Sequence, residues 1–211
     1  RQRQMCIRDR IYYLITPDRA SAEAGPYLEA LQARGLQVVY FFDSVDDILV
    51  QNLRQFDEKE LVSIDRANLE LDDSVEEEGE SLPEEEVEGC CSFIQDHLGE
   101  RVKKVSAGKR LINSPVAVLT PEFAMTPQMR QMMKAMQPDE EIPPLEVEME
   151  INPRHDLIKQ LATAREEEPE LAKLVTDQLF DGALLTAGLL EDRKDLVNRN
   201  LELMEAALRK K

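Results

Sequence analysis

The chain contains no long apolar stretch. None of its 211 residues lies in a segment approaching the roughly 20 consecutive apolar residues that a membrane-spanning helix needs. An apolar secretion signal is missing as well, so a cytoplasmic protein with no membrane partner is expected. A hydrophobic content of 42% indicates that the chain folds around a core.

Basic residues are scarce. Lys and Arg number 26 against 43 Asp and Glu, which gives a formal net charge of −17. A phosphate-binding surface needs clustered Lys and Arg, so this composition argues against a nucleic-acid partner. Strong negative charge instead suits a protein that resists aggregation in a crowded compartment.

Catalytic and metal-binding motifs are missing. The cysteines Cys6, Cys90 and Cys91 form no CxxC pair and are expected to be reduced thiols. HExxH, GxSxG, a P-loop and a dinucleotide fingerprint are all absent. Residues 72–88 hold ten acidic and no basic residues. Without EF-hand spacing, this run favours a solvated linker or a ragged helix start over a metal site. We therefore predict no catalytic residue and no metal or cofactor site in this chain.

Two titratable residues are candidates for chemistry. Asp43 ends a predicted strand, where an α/β enzyme could place a catalytic carboxylate. No second acid or lysine accompanies it, so Asp43 and Ser44 are better explained as caps of the following helix. His155 lies near a predicted helix start, where its ring can bond backbone groups, and is interpreted as structural. An enzyme built on the α/β part stays open as a rival hypothesis.

Residues 11–64 alternate between strand and helix patterns. Continuous apolar runs at 11–15 and 38–42 predict strands buried on both faces, and 61–64 could form a third. Strands separated by helices imply a small parallel sheet with right-handed crossovers.

The helices between these strands have recognisable ends. Gly35 is predicted to end the first, which carries Tyr27, Leu28 and Leu31. Ser44 and Asp47 resemble a capping box that opens the second. That second helix carries the apolar residues Val45, Ile48, Leu49 and Leu53.

The C-terminal half mixes strands with longer helices. Strands are predicted at 102–106, 116–120 and 145–151, the last with a wet face of alternating Glu. Helices are predicted at 87–98, about 126–137, 154–165, 169–187 and 193–209. Pro169 fits a first-turn position, Gly188 a C-terminal cap and Asp192 an N-cap.

Methionines recur at helical spacing in the second of these helices. They are Met125, Met129, Met132, Met133 and Met136, which share one face. Such a face packs on a core in most proteins, but flexible thioethers also suit an adaptable binding surface.

The last two predicted helices carry more apolar surface than one chain needs. Their period matches bundle packing, so we predict burial against a second copy as a four-helix bundle. The candidate interface residues are Leu179, Leu184, Leu196, Leu201, Met204 and Leu208.

At this point the sequence resembles the ninety-kilodalton heat-shock chaperone family, whose bacterial members are called HtpG. The most specific stretch is 145–158, an acidic alternating strand followed by Glu150-Ile151-Asn152-Pro153 and His155. Other matching stretches are 11–14, 35–39, 43–47, 110–115, 125–129, 133–135 and 179–185. The resemblance covers nearly all of 11–211.

The resemblance implies an α+β chain cut from a larger chaperone. Residues 1–10 would be a non-native or disordered leader, 11–71 the last α/β part of a middle domain, 72–88 an acidic linker and 89–211 a C-terminal dimerisation domain. The small parallel α/β subdomain would thus precede a mixed α/β domain ending in the dimerising helices. ATP and magnesium would bind in an upstream domain, so this chain alone would be no enzyme.

The resemblance also implies partners. A homodimer would hold unfolded client proteins, and the expected client contacts are Met125, Met129, Met132 and Met133. The alternative is a module that dimerises without binding clients.

Overall fold

The computed structural model describes residues 10–67, 69, 79–121, 130, 133, 135–136, 146–190 and 192–209. The strands are β1 (Arg10–Ile15), β2 (Val38–Phe41), β3 (Gln55–Phe56), β4 (Lys59–Ser63), β5 (Lys104–Ala107), β6 (Val116–Leu119) and β7 (Glu148–Ile151). The α-helices are α1 (Arg19–Ala24), α2 (Glu29–Ala33), α3 (Ser44–Leu53), α4 (Glu84–Leu98), α5 (Asp156–Glu167), α6 (Pro169–Thr186) and α7 (Lys194–Arg209). Short 3₁₀ turns occupy Pro26–Leu28 and Gly99–Arg101.

The first sheet has the strand order β2-β1-β4-β3. Strand β1 is parallel to both β2 and β4, which confirms the predicted parallel unit. The short β3 runs antiparallel to β4 and was not predicted. Its turn places Asp57 and Glu58 at φ of 51° and 62°, a region where glycine is the usual signal. Arg10 already pairs in β1, one residue before the predicted strand start.

The prediction that 38–42 is buried on both faces was wrong. Strand β2 lies at the edge of the sheet, and Val39 is 44% exposed. Phe42, just beyond the strand, is 49% exposed. An apolar run predicts that a strand forms but not whether it lies at the edge or in the centre of the sheet, because edge and central strands favour the same residue types.

Helix α3 begins one residue earlier than its predicted capping box implies. The N-cap is Asp43 rather than Ser44, so the assignment of Ser44 and Asp47 was wrong. The backbone N–H of Asp43 donates to Asp46 Oδ2 at 3.1 Å. Asp43 therefore takes the capping role expected for it, with Asp46 as the partner.

The second sheet has the order β5-β7-β6, with β7 parallel to β5 and antiparallel to β6. Met149 and Ile151 on β7 are completely buried. The face of β7 that carries the glutamates was predicted to be exposed to solvent, but it is only partly exposed. Arg110 Nε lies 2.8 Å from Glu150 Oε2, and both side chains are largely buried. A central strand has neighbours on both sides, which the alternating pattern alone does not reveal.

Strand β6 separates two hydrophobic cores. Its residues Val116 and Val118 belong to a core formed with α4, α5 and α6. Its residues Ala117 and Leu119 belong to the core of the first sheet. Since successive side chains of a strand point to opposite faces, β6 joins the two halves of the chain.

The ends of the C-terminal helices follow the sequence signals. Pro169 occupies the first turn of α6, and Gly188 follows that helix with φ of 71°. The backbone N–H of Lys194 donates to Asp192 at 2.9 Å. His155 is the N-cap of α5, and its Nδ1 accepts from the N–H of Leu157 at 3.0 Å, as expected of a structural histidine.

Candidate interaction surfaces

Helix α7 presents an apolar stripe to solvent. The stripe consists of Val197, Leu201, Met204 and Leu208, which are 55%, 57%, 56% and 79% exposed. Their spacing of i, i+4, i+7 and i+11 places them on one side of the helix. We call this set the α7 stripe. None of the residues of α7 is fully buried.

The predicted interface residues on α6 lie elsewhere. Leu184 is 8% exposed and belongs to the core of its own chain, and Leu179 packs against that same core. Leu196, on the side of α7 away from the stripe, is half-buried. The structure therefore brings Leu201, Met204 and Leu208 together on a free surface, whereas Leu184 already has intramolecular partners.

Helix α3 presents a second apolar stripe. It consists of Val45, Ile48, Leu49 and Leu53, which are 66%, 57%, 53% and 45% exposed. We call this set the α3 stripe. Phe42 precedes it in the sequence and Phe56, 63% exposed, follows it. Val50, on another side of the helix, is buried.

The sequence analysis identified the residues of the α3 stripe as apolar residues of a helix but did not predict that they form an exposed interaction surface. Val50 lies about 125° around the helix from the centre of the stripe, at ~100° per residue. The sequence did contain a signal for this exposed surface, because apolar residues lie on two sides of the ten-residue helix. One apolar side is enough for a helix to pack on a sheet, so the second side is left exposed.

Most of the predicted methionine surface lies outside the described residues. This holds for Met125, Met129 and Met132. Met133 is helical and half-buried, and Met136 is helical and 70% exposed. The client-contact assignment of these methionines stays a prediction.

A cavity of about 380 Å³ lies at the carboxyl ends of β1 and β4, below the turn that joins α6 to α7. The Tyr27 hydroxyl donates to the carbonyl of Val118 at 2.6 Å, and burial raises its pKa. The Ser63 hydroxyl donates to Asp65, and Arg66 donates to the Pro121 carbonyl at 2.8 Å. The bonds of Tyr27 and Arg66 connect the N-terminal half of the chain to β6 and to the residues just after it, whereas the Ser63–Asp65 bond is local.

Reactive chemistry is sparse in the described part of the chain. Burial raises the pKa of the Cys90 thiol, and raises that of Cys91 to about 11. Such thiols are poor nucleophiles at neutral pH. Within the described ranges, no three His, Cys, Asp or Glu side chains converge as metal ligands. No described helix is long and apolar enough to cross a membrane.

Comparison with known proteins identifies the family of this chain. The sequence model described as Hsp90 protein matches residues 2–211. The chain belongs to the Hsp90 family. This membership confirms the resemblance that the motifs at 145–158 and elsewhere indicated.

Relatives of this Hsp90-family chain come from bacteria and from mitochondria. "Chaperone protein HtpG" of Desulfitobacterium hafniense (strain Y51) is 36% identical over 204 residues, covering 96% of this chain and 33% of the relative. The HtpG protein of Chlorobaculum tepidum is 37% identical over 203 residues, covering 94% and 32%. "Heat shock protein 75 kDa, mitochondrial" of Bos taurus is 34% identical over 208 residues, covering 94% and 29%. The chain thus spans about a third of the length of these relatives.

Proposed function

We propose that this chain is the dimerising and client-binding part of an Hsp90-family chaperone that works in the cytoplasm. The observation that supports it is the pair of exposed apolar stripes on α7 and α3. Contiguous apolar surface of this kind marks an interaction site on a folded protein.

The α7 stripe suits contact with a second copy. A two-fold interface brings the same surface of each copy together, so one stripe meets its own equivalent. Helices α6 and α7 lie side by side at the end of the chain, and two such pairs make a four-helix bundle. A stable dimer buries ~1,200–2,000 Å² in total, which two helices per copy can supply.

The α3 stripe suits an unfolded client. Its aliphatic side chains, flanked by Phe42 and Phe56, have no hydrogen-bonding specificity to satisfy. Burial against an extended apolar segment would stabilise the complex by roughly half of the ~1.5–3 kcal/mol for burying a whole side chain, because each residue is about half covered already. Four such residues together contribute roughly 3–6 kcal/mol before ordering costs, which is short of the ~8 kcal/mol of micromolar affinity, so Phe42 and Phe56 must also be engaged to approach it. Weak contacts of this kind favour many sequences equally.

ATP turnover belongs to another part of the proposed protein. The chain covers about a third of its HtpG relatives, and the described residues include no phosphate-cradling loop. We expect the purified chain to hydrolyse no ATP. Steady-state phosphate release above that of a heat-inactivated sample would contradict this expectation.

Client binding is tested with the double variant Ile48→Ser with Leu49→Ser. The control is Ile112→Ser, since Ile112 is also exposed, at 43%, but lies outside both stripes. Binding of a fluorescently labelled unfolded protein is measured by anisotropy and stability by thermal melting. We expect the double variant to bind about tenfold or more weakly, equivalent to ~1.4 kcal/mol, with a nearly unchanged melting temperature. The control should bind as the original chain does.

The same measurements separate client binding from dimerisation alone. A chain that dimerises but shows no saturable binding of the unfolded protein would support the alternative of a dimerisation module. Equal binding by the double variant and the control would exclude the α3 stripe as the client surface.

A further inference from the structure

A buried carboxylate connects α7 to the rest of the chain. Asp181 lies on α6, and its side chain is only 6% exposed. Its Oδ2 accepts from Arg199 Nη1 of α7 at 2.5 Å. Its Oδ1 accepts from Arg101 Nη2 at 2.5 Å, in the 3₁₀ turn after α4. One carboxylate therefore joins three elements through two guanidinium groups.

The network extends one turn along α6. Asp177 accepts from Arg101 Nη1 at 2.6 Å and lies 2.9 Å from His97 Nε2. The Arg101 guanidinium also lies over the ring of Phe180, with its central carbon 4.9 Å from the centroid. These contacts fix Arg101, and Arg101 in turn fixes one oxygen of Asp181. The other oxygen remains for Arg199.

The Asp181–Arg199 pair is more enclosed than the Arg209–Glu205 pair of the same helix. The Arg199 side chain is 15% exposed, whereas Arg209 and Glu205 form a pair at 80% and 68% exposure. Enclosed and hydrogen-bonded pairs with fixed geometry impose one arrangement on the elements that they join. Exposed pairs within a helix contribute little.

Apolar packing alone does not fix the rotation of α7. No residue of α7 is fully buried, and its side that faces the chain is half-buried only. At ~100° per residue, Val197 and Arg199 lie ~200° apart around the helix axis. Anchoring Arg199 to Asp181 therefore turns the α7 stripe away from α6. The stripe is the more apolar side of α7. Without the Arg199–Asp181 ion pair, it would compete with the present inner side of α7 for contact with α6.

We propose that Asp181 and Arg199 are positioning residues that lock the rotation of α7 and so keep its apolar stripe available to a second copy. This inference rests on the proposed dimer. The role of the pair is to exclude an intramolecular arrangement in which α7 buries its own stripe, so its loss should weaken dimerisation without unfolding the chain.

The test is Arg199→Met in the complete chain, which keeps the length of the side chain and leaves Arg101 bound to Asp181. Arg209→Met is the matched control on the same helix. Arg199→Lys tests whether another cation at this position restores dimerisation. Sedimentation gives the dimer dissociation constant, melting gives stability, and hydrogen exchange followed by mass spectrometry gives the protection of α6 and α7 separately.

We expect Arg199→Met to raise the dimer dissociation constant about tenfold or more, equivalent to ~1.4 kcal/mol, with the protection of α6 unchanged in dilute monomer. Arg199→Lys should recover most of the affinity, and Arg209→Met should match the original chain. Dimerisation of Arg199→Met with original affinity would overturn the proposal. Loss of α6 protection or of overall folding would also overturn it, because the pair would then be a general stabilising contact. If the original chain is itself monomeric, the proposed dimer fails instead.

Discussion

Leu201→Asp places a charge in the middle of the α7 stripe. Leu201 is 57% exposed in the single chain and lies between Val197 and Met204 on the stripe. In the proposed bundle it meets the equivalent stripe of the second copy. In the monomer the new carboxylate would stay in water, because more than half of this position is open to solvent.

The magnitude follows from the exposed fraction and the symmetry. Burying the exposed half of a leucine stabilises the dimer by ~1 kcal/mol, about half of the value for complete burial. Burying an unpaired carboxylate instead costs several kcal/mol. Each dimer contains the change twice, so the total loss exceeds ~4 kcal/mol, which corresponds to about a thousandfold in the dissociation constant.

Sedimentation velocity at micromolar concentration measures the effect. Leu201→Asp should sediment as a monomer with a melting curve close to that of the diluted original chain. Asn198→Asp is the control, because it introduces the same aspartate at another exposed position of α7. Asn198 lies about 100° around the helix from Val197, outside the stripe. A Leu201→Asp chain that remains dimeric would refute the assignment of the stripe. Leu184→Asp is not equivalent, because Leu184 is in the chain's own core and the change should unfold it.

Three further predictions concern single residues. Burial raises the pKa of Asp177, but its bonds to the neighbouring histidine and arginine outweigh this and hold the pKa below its ordinary 3.8. Its contribution to stability is thus complete above that value and lost as pH falls through the lower folded pKa, so Asp177→Asn should flatten the acid fall in melting temperature between about pH 5 and pH 2. Because burial raises the pKa of Cys91 to about 11, its reaction with iodoacetamide, followed by peptide mass spectrometry, should be about tenfold faster at about pH 10 than at about pH 9, and an increase of about twofold or less would contradict the burial. A methyl group on Gly108 would lie 2.3 Å from Glu150 Oε2 and 2.9 Å from its Cβ, so Gly108→Ala should lower the free energy of unfolding by ~1–3 kcal/mol in urea, whereas Gly182→Ala in open helix space should raise it by ~0.5–1 kcal/mol.

Periodicity predicted the elements well because it reflects local geometry. The strands at 11–15, 38–42 and 116–120 and the helices after Pro169 were all found within one or two residues. Their signals are contained in short segments, where side-chain alternation and cap residues act within one or two turns. The acidic start of α4 was placed three residues late, because Glu84 to Glu86 are polar but stabilise the positive end of the helix.

Elements defined by distant partners were harder to predict. The two-residue β3 exists through pairing with β4, and its turn uses Asp57 and Glu58 rather than glycine. The ion network around Asp181 joins residues about 80 positions apart, Arg101 among them. No spacing rule connects such residues, since only the packed chain brings them within bonding distance.

The sequence by itself determined the family, the order of most strands and helices, and the excess of apolar surface near the C-terminus. Motif order and helical periodicity depend on residues that are close together in the sequence, so both can be identified without a structure. Only the tertiary structure decided which apolar residues are free. Leu184 and Leu201 have the same side chain and both lie on helices, yet Leu184 belongs to the hydrophobic core of its own chain and Leu201 faces solvent. Exposure depends on what the rest of the chain places opposite a residue, and that is fixed only when the two cores close around β6.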